Sequence, residues 1–337
     1  MLDLGTGSGV LALLAASTGA TVTATDIAER ACTFTHFNAA FNGLHVETLR
    51  GDLFDPVAGR QFDLVLSQPP FVVQPPGVEP TVYVHGGPRG DELALRVLAG
   101  LDGILRPGGW ALLRFDAPGT QQEVVERVRK AVTAELDVGV FGFTTVGPDL
   151  VALGYAGLAD PTLGSRYRDQ VSRYHRHMVD AGLDHFTGTM TAVHRPLEGG
   201  RAPAVTLSAA GQAVPRWPYI VARLTAERLA AAADSNLLTA RPSPPPGSRL
   251  AAELGLDEAG LGPAFVVRHP AGSVAEDLEL NEAGAALLQL FAGGRRTAAV
   301  VNAYATATAK DPEEAATDVI EFARDALRRG LLLPTSL

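Results

Sequence analysis

The chain opens with Met1-Leu2-Asp3-Leu4-Gly5-Thr6-Gly7-Ser8-Gly9, a short apolar strand that breaks into alternate glycines and continues as an apolar helical pattern over residues 10–16. A glycine-rich turn between a strand and a helix lets backbone N–H groups crowd around a ligand at the helix N-terminus. This arrangement fixes a strand–turn–helix unit with a binding site at its crest. A dinucleotide turn would read G-x-G-x-x-G, whereas here glycine stands at every second position and Asp3 closes the strand, where a pyrophosphate would be repelled. A cationic ligand carrying a ribose suits that aspartate better.

The next stretches alternate short apolar runs with helical patterns, which predicts a parallel α/β sheet over residues 1–160. Strand two is read at 21–27, with Asp26 near its end, placed to accept hydrogen bonds from ribose hydroxyls. Strand three, at 45–52, ends in Asp52, placed to accept from an adenine amino group. Strand four, at 62–71, stops at Pro69-Pro70, and strand five lies within 105–116. Residues 138–157 read as two β runs around a Gly-Pro-Asp turn, a terminal antiparallel hairpin.

Four motifs now stand in order: D-x-G-x-G-x-G, an acidic end to strand two, Gly51-Asp52 after strand three, and Gln68-Pro69-Pro70-Phe71 after strand four. Together they resemble the motif series of class I S-adenosylmethionine-dependent methyltransferases. The helix pattern of residues 35–44 (THFNAAFNGL) is similar to that of the branch containing the release-factor glutamine methyltransferases and the small ribosomal-RNA methyltransferases. The resemblance implies a Rossmann-like methyltransferase sheet and S-adenosyl-L-methionine as cofactor. It implies cofactor contacts from Asp3, Gly5, Thr6, Gly7, Gly9, Asp26, Ile27, Asp52, Leu53 and Gln68.

In that branch strand four ends Asn-Pro-Pro-Tyr or Asn-Pro-Pro-Phe; here Gln68 replaces the asparagine. The resemblance makes Gln68, Pro69, Pro70 and Phe71 the catalytic group. Methyl transfer from a sulfonium is an in-line displacement, so the site must align a lone pair and exclude water. A side-chain carbonyl and a backbone carbonyl can hold an NH2-type nitrogen with its lone pair toward the methyl, on a backbone fixed by two prolines, with the aromatic ring on the planar acceptor. Glutamine keeps the carboxamide and displaces it by about one bond length. Nitrogen, oxygen and another nucleophile all stay open as acceptor atoms.

Residues 84–92 (VHGGPRGDE) resemble the His-Gly-Gly loop of the same branch and either shape the acceptor pocket, with Arg89 binding an acidic part of the substrate, or form a surface loop. His175, His177, His185 and His194 match no usual zinc spacing, and no metal site is expected. Cys32, the single cysteine, cannot form an internal disulfide, which fits a reducing cytoplasm.

Residues 161–247 read as a connecting helix and strand followed by a Pro-rich linker. From 248 to 337 a small winged-helix-like α+β domain is expected, with Asn281 or Glu282, Thr297 and Asp311-Pro312 opening its helices. Its helical pattern resembles PqqD-like domains, the peptide-recognition modules of ribosomal-peptide biosynthesis. That implies a peptide or protein acceptor; a structural cover or a homodimer contact is the other role open to it. An RNA acceptor is disfavoured by a net charge of −9 and only two lysines, Lys130 and Lys310. The other alternative is a cofactor-binding scaffold without catalysis. No apolar run is long enough for a bilayer, so no membrane partner and a cytoplasmic location are expected. Because strand one begins at residue 1, while relatives of the branch carry helices before it, an N-terminal segment is expected to be missing.

Overall fold

The computed structural model describes residues 1–159, 162, 164–197, 204–207, 215–257, 260–275 and 278–335. The chain divides into two compact units, Met1–Thr206 and Leu207–Leu337.

The first unit runs β1 (Leu2–Leu4), α1 (Val10–Ser17), β2 (Thr23–Asp26), α2 (Glu29–Phe41), β3 (Glu47–Arg50), β4 (Phe62–Ser67), β5 (Val72–Val73), β6 (His85–Gly87), α3 (Glu92–Ile104), β7 (Leu105–Pro118), α4 (Gln121–Ala131), β8 (Asp137–Val146), α5 (Pro148–Ala159), α6 (Tyr167–Asp180), β9 (Phe186–His194) and β10 (Ala204–Leu207). Eight strands form one sheet in the order β10-β8-β9-β7-β4-β1-β2-β3. Strands β3, β2, β1, β4 and β7 are parallel, with Leu4 beside Thr25 and Ser67, and Ser67 beside Leu113. The strand order reverses between β1 and β4, which opens a crevice at their carboxyl ends where ligands of open α/β sheets bind.

Strand alternation sets what each face buries. Leu2 and Leu4 enter a core with Leu98 and Leu101 of α3 and Val124 and Val128 of α4. Asp3, between them, faces α1 instead: its carboxylate accepts from the Ala12 N–H. Ala12 and Ala39, from α1 and α2, pack with Val22 and Ala24 in a smaller cluster.

Two expectations change at the edge of this sheet. The antiparallel partner of β8 is β9 (Phe186–His194), well beyond the expected return at residues 148–157, and β9 inserts between β7 and β8. Residues 148–159 form a helix rather than the returning strand. Pro148 sets a helical φ at its start, Asp149 lies in its first turn, and Val151, Ala152, Tyr155 and Ala156 repeat at helical spacing. The helices α5 and α6 bury these residues with Tyr174, Met178, Val72, Val73 and Val84, a separate core on the segment that follows Pro69-Pro70. The boundary expected at residue 160 therefore falls inside the first unit.

The second unit comprises α7 (Trp217–Ala231), α8 (Asp234–Thr239), β11 (Pro242–Ser243), β12 (Arg249–Asp257), β13 (Gly260–Arg268), β14 (Leu278–Leu280), α9 (Glu282–Phe291), α10 (Thr297–Thr308), α11 (Pro312–Arg328) and β15 (Leu333–Pro334). A three-stranded sheet, β12-β13-β14, and three helices give it winged-helix character. Asn281 caps α9 through the Gly284 N–H, and Asp311 caps α11 through the Glu313 N–H. The segment expected as a linker up to residue 247 carries α7 and α8, whose Ala222, Ala226, Ala230 and Leu237 share the core of Phe291, Val319 and Leu327. Small alanines at these positions hide the helix from a reading keyed to large apolar residues. Among the described residues no helix is long and apolar enough to cross a membrane.

Candidate functional site

The glycine turn is held from three directions. Gly5 and Thr6 donate their N–H groups to the Thr25 carbonyl at 2.8 and 2.9 Å. The Asp3 carboxylate accepts from the Thr6 hydroxyl at 2.7 Å and from the Ala12 N–H at 3.0 Å. Gly9, at the α1 N-cap, has φ of 88° and no side chain to cap the helix, so Asp3 supplies the cap from the neighbouring strand. Asp3 is 1% exposed, and burial pushes its carboxyl above the ordinary carboxylate value. From α2, Thr35 reaches the Gly7 carbonyl and Asn38 the Ser8 carbonyl. A Cβ on Gly9 would come within 3.0 Å of Thr35, so the close approach of α2 requires glycine there.

Gly5 and Gly7 are different. Both have positive φ, at 74° and 59°, and nothing lies within 4 Å of where a Cβ would stand. The space above the turn is open, and it belongs to a cleft of about 750 Å3 at the carboxyl ends of β1, β2 and β4. That volume lies in the usual range for small-ligand sites, ~300–1,000 Å3.

Asp26 stands on one side of the cleft. Its two oxygens accept from the Gly7 N–H at 3.0 Å and the Ala28 N–H at 2.9 Å. Each oxygen keeps a lone pair for a ligand donor, so the carboxylate is aimed before anything binds. Ile27, Asp52 and Leu53 continue this wall, and Gln68, Pro69 and Pro70 line the opposite side. Glycine backbone, a paired carboxylate and a second carboxylate fit a ribose-bearing adenosyl ligand on that wall, with the amide of Gln68 across from it. Asp3, Thr6 and Gly9 do not line the cleft; they build the turn that does.

Phe71 also lies outside the lining. Its ring centroid is 6.3 Å from that of Tyr155 on α5, and the Arg114 guanidinium sits 6.0 Å over it. The aromatic rings that line the cleft are those of Phe34, Tyr83 and His85. Other lining residues were not foreseen: Thr25 and Ser67 at strand ends, Arg30 and Phe34 on α2, and Leu93, Arg96 and Val97 on α3. Phe34 was within reach of the sequence, since Phe34, Phe37 and Phe41 make an exposed stripe on α2.

The 84–92 segment divides. His85 lines the cleft: its Nδ1 accepts from the Thr81 N–H at 2.8 Å, so the proton sits on Nε2, which lies 2.8 Å from the Tyr174 hydroxyl. Burial lowers the His85 pKa, and burial raises that of Tyr174 to about 12. Both imidazole nitrogens are occupied, so His85 holds a wall and takes no proton. Gly86 packs so tightly that a Cβ would lie 1.9 Å from the Gly90 carbonyl oxygen and 2.4 Å from that of Pro70. Arg89 points elsewhere, 3.9 Å from buried Asp91, which also receives Arg127 at 2.8 Å.

Three of the four clustered histidines have side-chain partners. His175 pairs with Asp149, His177 donates to the Pro88 carbonyl, and His194 pairs with Asp137. His185 contributes its carbonyl to the Gly119 N–H. Among the described residues no group of three metal-ligating side chains occurs. The Cys32 thiol faces the carbonyls of Asp26 and Leu49 at 3.7 Å, beneath the turn that carries Asp26.

The strand order, with the glycine turn at the switch point and the acidic end of β2, is that of a Rossmann-like α/β sheet. Residues 1–82 match the Methyltransferase small domain family, and residues 266–332 match Coenzyme PQQ synthesis protein D (PqqD). The chain is thus similar to the small methyltransferase domain over its first 82 residues and to PqqD over residues 266–332.

Among the relatives is a release factor glutamine methyltransferase of Moorella thermoacetica, 37% identical over 144 residues, covering 39% of this chain and 50% of that protein. A second, from Xylella fastidiosa, is 40% identical over 124 residues, covering 33% and 44%. A ribosomal protein uL3 glutamine methyltransferase of Bradyrhizobium diazoefficiens is 38% identical over 138 residues, covering 37% and 42%. The chain spans half or less of the length of these curated relatives.

Proposed function

We propose that this chain is an S-adenosylmethionine-dependent methyltransferase that modifies a side-chain nitrogen of a peptide or protein, with a carboxamide as the acceptor group. The observation that carries the reading is a single cleft with Asp26 and the glycine turn on one wall and Gln68-Pro69-Pro70 on the other. The names of the relatives, glutamine methyltransferases of release factors and of a ribosomal protein, favour the same acceptor chemistry.

When bound, S-adenosylmethionine supplies a methyl group on a sulfonium, ready for displacement. The residues of the chain bind and orient. Asp26 accepts from ribose hydroxyls, and Gly5 and Gly7 leave room for the ligand against the backbone. Gln68 is exposed in the cleft and accepts an acceptor N–H through its amide oxygen, while the proline pair holds the adjoining backbone. His85 and Tyr83 wall the acceptor side.

His85 is no free base there, because both its nitrogens are taken. An amide nitrogen is compatible with that arrangement, since its N–H grows acidic as the new bond forms and the proton passes to bulk solvent once the methyl has moved. Alignment and exclusion of water then carry the catalysis. The PqqD-like domain makes a peptide or protein the favoured acceptor.

The test is incubation with methyl-deuterated cofactor and cell extract, followed by mass spectrometry of separate peptide, protein and RNA fractions. Label on glutamine or asparagine side chains supports the reading. Label confined to RNA, or no label with cofactor bound, replaces it with an RNA enzyme or a non-catalytic scaffold.

A further inference from the structure

Asp52 follows β3 at the mouth of the cleft, and α3 runs beside it. Arg96 Nη2 donates to Asp52 Oδ2 at 3.0 Å, with the two side chains 59% and 47% exposed. One helical turn further, Gly100 lies so near Phe54 that a Cβ would stand 2.5 Å from its ring. Between these contacts Leu53 has φ of 44°, a left-handed backbone that a leucine seldom adopts. Residues i and i+4 of one helix face thus hold the turn of residues 52–54 on both sides of its strained residue. Leu93, Arg96 and Val97, from the same helix, line the cleft.

An ion pair this exposed contributes little to stability. Its geometric effect is larger. A carboxylate left to itself at the cleft mouth rotates and is hydrated, whereas one with Oδ2 fixed by a guanidinium presents Oδ1 in one direction.

We propose that Arg96 is a positioning residue that orients Asp52 as an acceptor for the exocyclic amino group of a purine, making the cleft selective for 6-aminopurine over 6-oxopurine ligands. The inference rests on the reading of the cleft as an adenosyl-ligand site. An amino group donates to the free oxygen of Asp52. A 6-oxo group would set two acceptors face to face and leave both unpaired.

The experiment is titration calorimetry of the full chain with S-adenosylhomocysteine and with its 6-oxo counterpart, S-inosylhomocysteine. The wild-type protein is expected to prefer the amino ligand by about 10–100-fold, the range of a charge-assisted hydrogen bond. Arg96→Met is expected to reduce the preference to within about threefold while the thermal midpoint stays unchanged. Arg96→Lys retains part of the preference through a single-point contact. The double variant Arg96→Met with Asp52→Asn should discriminate no less than Asp52→Asn alone.

A wild-type preference surviving in Arg96→Met but lost in Asp52→Asn overturns the role of Arg96. A preference surviving in both means the purine edge is read elsewhere, and the proposal also falls. Binding of neither ligand by the wild-type protein refutes the adenosyl reading itself, and the inference with it. That result differs from both others.

Discussion

Replacing Asp3 separates a builder of the site from a member of it. The Asp3 carboxylate lies beneath the glycine turn, and one oxygen, Oδ2, accepts both the Thr6 hydroxyl and the Ala12 N–H. Asp3→Ala leaves α1 without a cap, because Gly9 supplies none, and leaves a buried hydroxyl without its acceptor. A lost cap costs about 1 kcal/mol, and an unpaired buried donor about 1–3 kcal/mol, so the expected loss is roughly 2–4 kcal/mol.

Part of this is offset. Burial raises the Asp3 pKa above 3.8, so between 3.8 and the folded value the native state binds more protons than the unfolded chain. Stability from this group therefore falls as pH rises through that window, and at neutral pH the ionised form is a net cost. The lower end of the range, about 2–3 kcal/mol, follows. At about 2–4 °C per kcal/mol for a unit of this size, the thermal midpoint should drop by roughly 4–12 °C.

Asp3→Asn can keep both hydrogen bonds on its amide oxygen and should lose about 1 kcal/mol or less. Scanning calorimetry reads the midpoints, and titration with S-adenosylhomocysteine reads the site at a temperature where all three proteins are folded. An Asp3→Ala protein with a midpoint within about 1 °C of wild type and a strongly weakened ligand would refute the argument, since the carboxylate would then be acting on the ligand and not on the turn.

Asp26→Ala should weaken cofactor binding by roughly 1–3 kcal/mol, the cost of a charged hydrogen bond, and calorimetry showing unchanged affinity would remove Asp26 from the site. On the proposed reading, in which its amide holds the acceptor, Gln68→Ala should lower turnover while cofactor affinity stays the same; equal losses in both would assign it a structural role. Gly86→Ala forces a methyl group against the backbone of Pro70 and Gly90, which cannot yield as a side chain can, and activity should fall along with the thermal midpoint. The His85 pKa lies below the ordinary 6.5, so the stability it contributes is fully present above pH 6.5 and is lost as pH falls through the folded value; the midpoint difference between wild type and His85→Gln should shrink over that interval.

Local signals carried the half of the site built close in sequence. Alternate glycines, the acidic end of β2 and the Pro-Pro stop of β4 each fix backbone within a few residues, and the structure sets Gly5, Gly7, Asp26, Gln68, Pro69 and Pro70 around one cleft. What Asp3 does was not legible, because its partner Ala12 is reached only when β1 and α1 pack. Nor was Arg96, whose contact with Asp52 spans 44 residues. In the second unit, the caps Asn281 and Asp311 were readable from side chain and spacing alone, while α7 was not, since alanine contributes little to an apolar pattern and much to close helix packing.

The acceptor side shows why a hairpin was expected and helices are found. Residues 148–157 carry Val151 and Tyr155 among small and apolar neighbours, and both types favour strands when a partner strand stands ready. Here β9 pairs with β8 instead, and Val151, Ala152, Tyr155 and Ala156 bury against α6 and the segment after Pro69-Pro70. Three histidine contacts then tie this helical pair down: His85 to Tyr174, His177 to the Pro88 carbonyl, and His175 to Asp149. His175 and His177 lie close along the chain without a usual zinc spacing, and imidazoles at the edge of a small core suit contacts to hydroxyl, carbonyl and carboxylate partners. Spacing within one helix says nothing of which partner arrives from residues 81–90. The wall formed by Tyr83 and His85 is therefore set by α6, nearly 90 residues further along, through a contact that no local motif encodes.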